Sequence, residues 1–246
     1  FNSLRFLGGI NTLKIFFISN LLKKKNLHIT LFNKKFYFRP IIDKGSYRRF
    51  TFSQYIIKDT QVQPLEYFID AGANIGSQTI RIVNLNKNIK KIACIEPDIE
   101  SAKICKKNLI NYSAEVYNNA LSCDDGKELM FQNSFNSEMS EIIEEKKLIK
   151  SNSVYPIKTI SINQIEKELN FPRIDFIKFD INGYEKDVFS KNTEWINITN
   201  AIAFNNADIN ELTHDIIKKI QQVYGDIKIY NIDQMIIVMR KNLNWL

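Results

Sequence analysis

Histidine is scarce in this chain: His28 and His214 are the only two in 246 residues. So few make neither a multi-histidine metal centre nor a histidine-based catalytic dyad credible. Both read as structural, His28 in a hairpin strand and His214 on a helix. The three cysteines (Cys94, Cys105, Cys123) are odd in number and lack the paired spacing of zinc or redox motifs. They predict reduced packing residues in a cytosolic protein. Eight glycines and five prolines, in a chain rich in Ile, Asn, Lys and Phe, argue against long disordered linkers. No internal repeat or low-complexity block is evident. Apolar runs are short too. Residues 13–22 (LKIFFISNLL) meet Lys23, Lys24 and Lys25, and about ten residues cannot span a bilayer. No small-x-small cleavage site follows the Arg5-led flank. The segment is expected to pack on the domain, with a membrane surface as the other reading. The chain starts at Phe1 without an initiator Met, so the natural N-terminus is expected upstream.

One further absence narrows the ligand. The chain has no G-x-G-x-x-G, the fingerprint that seats a pyrophosphate on a helix N-terminus. It has instead D-x-G-x-N-x-G, in Asp70-Ala71-Gly72-Ala73-Asn74-Ile75-Gly76. The apolar run Tyr67-Phe68-Ile69 leads into it and a helical segment at 77–86 follows, so a buried parallel strand runs through a tight turn into a helix. Small residues at Ala71, Gly72, Ala73 and Gly76 let the backbone approach a ligand. Twenty residues on, a second apolar strand, Ile92 to Ile95, ends in Glu96-Pro97-Asp98. An acid at that tip is placed to accept the hydroxyls of a ribose. Asp70 would repel a pyrophosphate but suits a ligand with a cationic ammonium and sulfonium. S-adenosyl-L-methionine is that ligand.

The segments FIDAGANIGSQTI, IACIEPD, NNALSCDDG, IKTISINQI and IDFIKFDINGYE together resemble the FkbM methyltransferases, class I enzymes dependent on S-adenosylmethionine. The match runs from about Tyr67 to Asn206. Its most specific piece is Lys178-Phe179-Asp180-Ile181-Asn182-Gly183-Tyr184-Glu185, similar to the family's K-x-D-V-E-G-x-E. Asn182 stands where the family has Glu, and Asn205-Asn206 stand where its fifth strand ends in Glu. The resemblance implies methyl transfer to a hydroxyl.

The chain is expected to be α/β: a Rossmann-like, mostly parallel seven-stranded sheet with a C-terminal antiparallel hairpin and a small N-terminal helix and hairpin cap. Residues 1–60 would be the basic cap and 61–246 the cofactor-binding domain. A hairpin at 29–39 and a helix at 46–57 precede strands at 66–70, 92–95, 115–118, 174–180 and 198–204. Helices are expected at 99–111, 162–169 and 209–224, and a closing hairpin at 227–240. Added strands at 127–131 and 154–159 flank a polar stretch, 133–153, that reads as a lid or insertion. The cofactor is expected to meet Asp70, Ala71, Gly72, Asn74, Gly76, Glu96, Pro97 and Asp180, with Asn119 and Ala120 at the adenine edge.

Attack on a sulfonium needs an aligned oxygen and a nearby carboxylate to take its proton. Asp180, ending strand four beside the cofactor strand, and Glu185, one short turn on, are the candidate bases. Residues 1–60 hold twelve of the 34 basic and two of the 27 acidic residues, a net of +10, so the other 186 carry −3. That asymmetry steers toward an anionic partner: a glycan or small acidic acceptor, or peripheral contact with the inner membrane face. Nucleic acid is not expected, since no aromatic-interleaved basic surface or N-P-P-Y motif is evident. A Mg²⁺-assisted site at Asp180, Asn205 or Asn206 and Asp208, a nucleic-acid methyltransferase using the N-terminal basic patch, and an inert cofactor-binding paralogue remain as alternatives.

Overall fold

The structure, a computed structural model, describes residues 27–39, 42–43, 63–132, 141–143, 154–205, 211–232 and 235–245. The apolar segment 13–22, the expected helix at 46–57, most of the 133–153 stretch, Asn206 and Asp208 lie outside them.

The described chain opens with a hairpin, β1 (Leu27–Leu31) and β2 (Lys34–Phe38). Its turn residues Phe32 and Asn33 are both left-handed, at φ 48° and 61°. Then β3 (Tyr67–Ala71), α1 (Ser77–Leu85), β4 (Lys91–Ile95), α2 (Ile99–Asn108) and β5 (Ala114–Tyr117) alternate. After the short strands β6 (Ala120–Leu121), β7 (Glu128–Gln132), β8 (Glu141–Ile143) and β9 (Val154–Ile160), alternation resumes. It runs through α3 (Ile162–Leu169), β10 (Ile174–Phe179), α4 (Glu185–Val188), a 3₁₀ turn (Glu194–Ile196) and β11 (Thr199–Asn205). Next come α5 (Glu211–Tyr224) and the hairpin β12 (Ile227–Ile232) and β13 (Met235–Arg240).

Seven strands form one sheet in the order β12-β13-β11-β10-β3-β4-β5. The five from β11 to β5 are parallel, and β13 enters antiparallel beside β11. This is the mostly parallel sheet with a C-terminal hairpin that the alternation predicts. The chain proceeds outward on one side of β3 (to β4 and β5) and later on the other (β10 and β11). The carboxyl ends of β3 and β10 therefore flank a switch point, where an open α/β sheet takes its ligand.

Both faces of the sheet's centre are covered, so β3, β4 and β10 are buried without alternation; every residue of β10 is buried. Phe68 and Phe176, in register on β3 and β10, stack with ring centroids 5.4 Å apart on the face that also buries Phe36 and Phe38 of the hairpin. Ile69, Ile177 and Phe179 point to the opposite face, where Phe179, Phe189 and Trp195 pack ring to ring.

The strands β6 to β9 do not simply extend this sheet. They make a second one, in the order β6-β9-β7-β8, around Ala120, Phe131 and Ile157. Residues 141–143 of the polar stretch are its β8 strand. Among the described residues no helix is long and apolar enough to cross a membrane.

Candidate active site

The turn after β3 is built on two left-handed glycines and one left-handed asparagine: Gly72, Gly76 and Asn74, at φ 76°, 80° and 50°. Gly72 and Ala73 donate their N–H groups to the carbonyl of Ile95 at the end of β4. The side chain Gly72 lacks would not enter a ligand's space, as the sequence suggests. A Cβ there would lie 2.0 Å from the Asp180 carbonyl oxygen, so the glycine admits the close approach of β10. At Gly76 a Cβ would meet the Cys105 sulfur at 3.1 Å, a helix-packing constraint.

Glu96 begins the loop after β4, with 6% of its surface exposed. Its Oε2 accepts the N–H of Asn74 at 2.8 Å and its Oε1 the N–H of Asp98 at 2.8 Å. One carboxylate thus ties together the two loops that the sequence assigns to the cofactor. Burial, reinforced by the charge of Asp98, pushes Glu96 up to about 8, while the two N–H groups and Lys178 pull it back. Pro97 is half-buried, and its carbonyl accepts bonds from Asn118 and from the Tyr155 hydroxyl.

The sequence places Asp70 against a cationic ligand; the structure turns it inward. Asp70 is fully buried, its Oδ1 taking the Lys178 ammonium at 2.9 Å and its Oδ2 the Thr79 hydroxyl at 2.6 Å. Both oxygens are thereby occupied within the protein. Lys178 also lies 4.0 Å from Asp180 Oδ2 and draws electrostatically on Glu96. It is the buried cation between the three acids, and the sequence reading gave it no role. Its signal was present: a lysine between Ile177 and Phe179 in the buried strand Ile174–Phe179 has no water to reach and needs a buried partner.

Asp180 follows β10 at the switch point, its N–H bonded to the carbonyl of Ala71. Asn205, at the end of β11, donates its side-chain N–H to Asp180 Oδ1 at 3.2 Å. The amide flagged in the sequence and the candidate base are therefore in contact. Glu185 is also buried, and its Oε1 accepts the N–H of Ile181 at 3.3 Å. Burial raises its carboxyl and the neighbouring Asp180 adds to the rise, while main-chain N–H groups of Ile181, Gly183 and Glu185 itself oppose it. Glu185 closes the 181–185 turn. Within that turn Asn182 and Gly183 are left-handed, at φ 54° and 88°, a conformation asparagine adopts more readily than glutamate.

Asn119 is half-buried and donates to the Lys158 carbonyl at 3.1 Å; Ala120 pairs with Thr159 in the second sheet. A network the sequence does not announce joins this segment to α4. Asp187 accepts from the Ser122 hydroxyl at 2.7 Å and the Cys123 N–H at 3.0 Å, fixing the helix behind Glu185 to the loop after β6. Among the described residues no His, Cys, Asp and Glu cluster could hold a metal ion.

The Methyltransferase FkbM domain matches residues 70–227. In structure the chain is similar to the methyltransferase FkbM of Methylobacillus flagellatus KT, at 16% identity and a TM-score of 0.50. The match covers 71% of this chain and 43% of that one, so this chain spans less than half of that relative's length. It is also similar to the ribosomal protein L11 methylase of Lactobacillus delbrueckii subsp. bulgaricus, at 14% identity, 82% and 78% coverage and a TM-score of 0.37. A third likeness is to TrmK of M. capricolum in complex with S-adenosyl-homocysteine, at 10% identity, 72% and 62% coverage and a TM-score of 0.37. At 16% identity the first of these likenesses speaks to fold alone. No curated protein matches the sequence.

Proposed function

The chain belongs to the methyltransferase FkbM family, and from that premise we propose that it methylates a hydroxyl of a sugar, glycan or other small anionic acceptor. S-adenosyl-L-methionine is its methyl donor; the hydroxyl and the acceptor class are our reading.

The residues present fit such a donor. Glu96 is a buried carboxyl near a pKa of 8, each oxygen accepting one main-chain N–H. Two ribose hydroxyls donating to it would supply the stabilisation that burial has removed. When bound, the donor supplies a methyl group on a sulfonium that is already activated toward a nucleophile. The chain's own task is then to bind, to align an acceptor oxygen and to receive its proton.

One observation carries the assignment of that proton: Asp180 sits at the switch point with Oδ1 held by Asn205 and Oδ2 4.0 Å from the Lys178 ammonium. The amide of Asn205 orients Asp180 without adding a second negative charge. Glu185 is bonded to the main chain of its own turn and serves as the positioning group for the 181–185 loop. The net charge of +10 over residues 1–60 supports an anionic acceptor over a neutral one.

The test is methyl transfer from labelled S-adenosylmethionine to paired anionic and neutral sugar acceptors, with and without chelator. Chelator-insensitive O-methylation that favours the anionic member is the expected outcome. Label on nitrogen or carbon, or full loss of transfer in chelator, would overturn the reading.

A further inference from the structure

The N-terminal hairpin stands outside the 70–227 span, yet one of its strands makes polar contacts beside both cofactor loops. Asn108, the last residue of α2, is 4% exposed, and its side chain is spent entirely outside its own helix. Its Oδ1 accepts the Tyr37 N–H at 2.6 Å. Its Nδ2 donates to the Tyr37 carbonyl at 2.9 Å and to the Ile75 carbonyl at 2.8 Å. A single amide therefore joins the outward main-chain edge of β2 to the turn after β3. Ile75 is the neighbour of Asn74, whose N–H holds Glu96 Oε2.

Two residues along the chain from Tyr37, Arg39 reaches the other loop. Its Nη2 donates to the Ser101 hydroxyl at 2.7 Å, and its Nη1 lies 3.7 Å from Asp98 Oδ1. Asp98 is the residue whose N–H holds Glu96 Oε1, and its own Oδ1 caps α2 through the Ser101 N–H. Arg39 is in turn aimed by the fully buried Asp43, which accepts from both its Nε and its Nη2. Each of the two main-chain donors that orient the ribose acid is thus at, or one residue from, a hydrogen bond or ion pair to the hairpin.

We propose that the β1–β2 hairpin is a positioning element for the cofactor site, acting through Asn108 on the 72–76 turn and through Arg39 on the 96–98 loop. Phe36 and Phe38 already fasten the hairpin by apolar packing in the core. The polar contacts add register: they fix where the Asn74 and Asp98 N–H groups stand relative to each other, and so the orientation of Glu96. The proposal rests on Glu96 receiving the cofactor ribose.

The experiment uses the full chain with S-adenosylhomocysteine as probe. Asn108→Asp keeps the acceptor for Tyr37 but removes both donated bonds; Arg39→Met removes the contacts to Ser101 and Asp98. Each should weaken binding by about tenfold or more, as expected for groups in one network. Each should also speed amide hydrogen exchange at Asn74 or Asp98 in the ligand-free protein. Phe38→Leu, which loosens hairpin packing alone, should lower Tm while leaving affinity within about twofold. Lowered Tm with unchanged affinity in both polar variants would overturn the proposal, as would equal weakening by Phe38→Leu. Failure of the unaltered protein to bind S-adenosylhomocysteine would instead remove the cofactor assignment at Glu96.

Discussion

Because burial holds the Glu96 carboxyl near 8, pH alone should switch cofactor affinity. With that value about one molecule in a hundred carries ionised Glu96 at pH 6, about one in ten at pH 7 and about half at pH 8. Both carboxylate oxygens already accept a main-chain N–H, and only the ionised form can accept a ribose hydroxyl at each as well. Apparent affinity then scales with the ionised fraction. S-adenosylhomocysteine should bind about tenfold more tightly at pH 7 than at pH 6, and about fivefold more tightly again at pH 8. Calorimetry in buffers of different ionisation enthalpy should find nearly one proton released at pH 7. Because 5′-methylthioadenosine lacks the amino-acid group, its matching trend would exclude titration of the ligand. Glu96→Gln should bind weakly and without pH dependence. A flat affinity for the unaltered protein from pH 6 to 8 would refute the reasoning. Stability follows the same linkage with a definite sign. The folded pKa of about 8 exceeds the usual 4.5, so the folded state keeps a proton that the unfolded chain has released. The contribution of Glu96 to ligand-free stability should be full below about 4.5, fall as pH rises toward about 8, and then level off; Glu96→Gln should abolish that decline.

Asp180→Asn should reduce turnover by about 10²–10⁴ while S-adenosylhomocysteine affinity stays within about tenfold; turnover at the unaltered rate would remove Asp180 as the base. Gly72→Ala should cost about 2–5 kcal/mol in chemical denaturation, from a left-handed alanine and a collision with the Asp180 carbonyl. Lys178→Met should cost about 3–5 kcal/mol, because it leaves buried Asp70 with the Thr79 hydroxyl alone. Adding Asp70→Asn to that variant should recover part of the loss, and strict additivity would deny the pair. Asn182→Glu should lower stability by about 1 kcal/mol through its left-handed backbone and should not raise turnover; increased methyl transfer would show that the amide limits activity.

The centre of the parallel core was legible because β3, β4 and β10 are short buried runs ended by an acid or a glycine turn, so local pattern alone locates their ends. Residues 162–169 match α3, and the 29–39 and 227–240 pairs fold as hairpins. The second sheet was harder to see. Its β6 is two residues long and pairs with Thr159 and Ile160, nearly forty positions away, which no local periodicity encodes. Glu96 and Asp180 could be placed because they lie at strand tips, where topology sets position. The inward turn of Asp70 could not, because it depends on Lys178, 108 residues on. Asn108 and Arg39 carry no sequence signal at all. A helix-end asparagine and a strand-end arginine become meaningful only when Tyr37, Ile75 and Asp98 are brought to them.

The same 108-residue separation governs how the chain can be made. On a ribosome, Asp70 emerges long before Lys178, so a nascent chain must carry this aspartate without its buried cation until β10 arrives. Until then β3 lacks its neighbour on one side and exposes a backbone edge. The centre of the sheet thus closes late in synthesis, by a contact of high sequence separation, and its closure should be slow. Nascent chains arrested before about residue 174 should recruit chaperones and yield to protease within β3, and those extended beyond β11 should resist both.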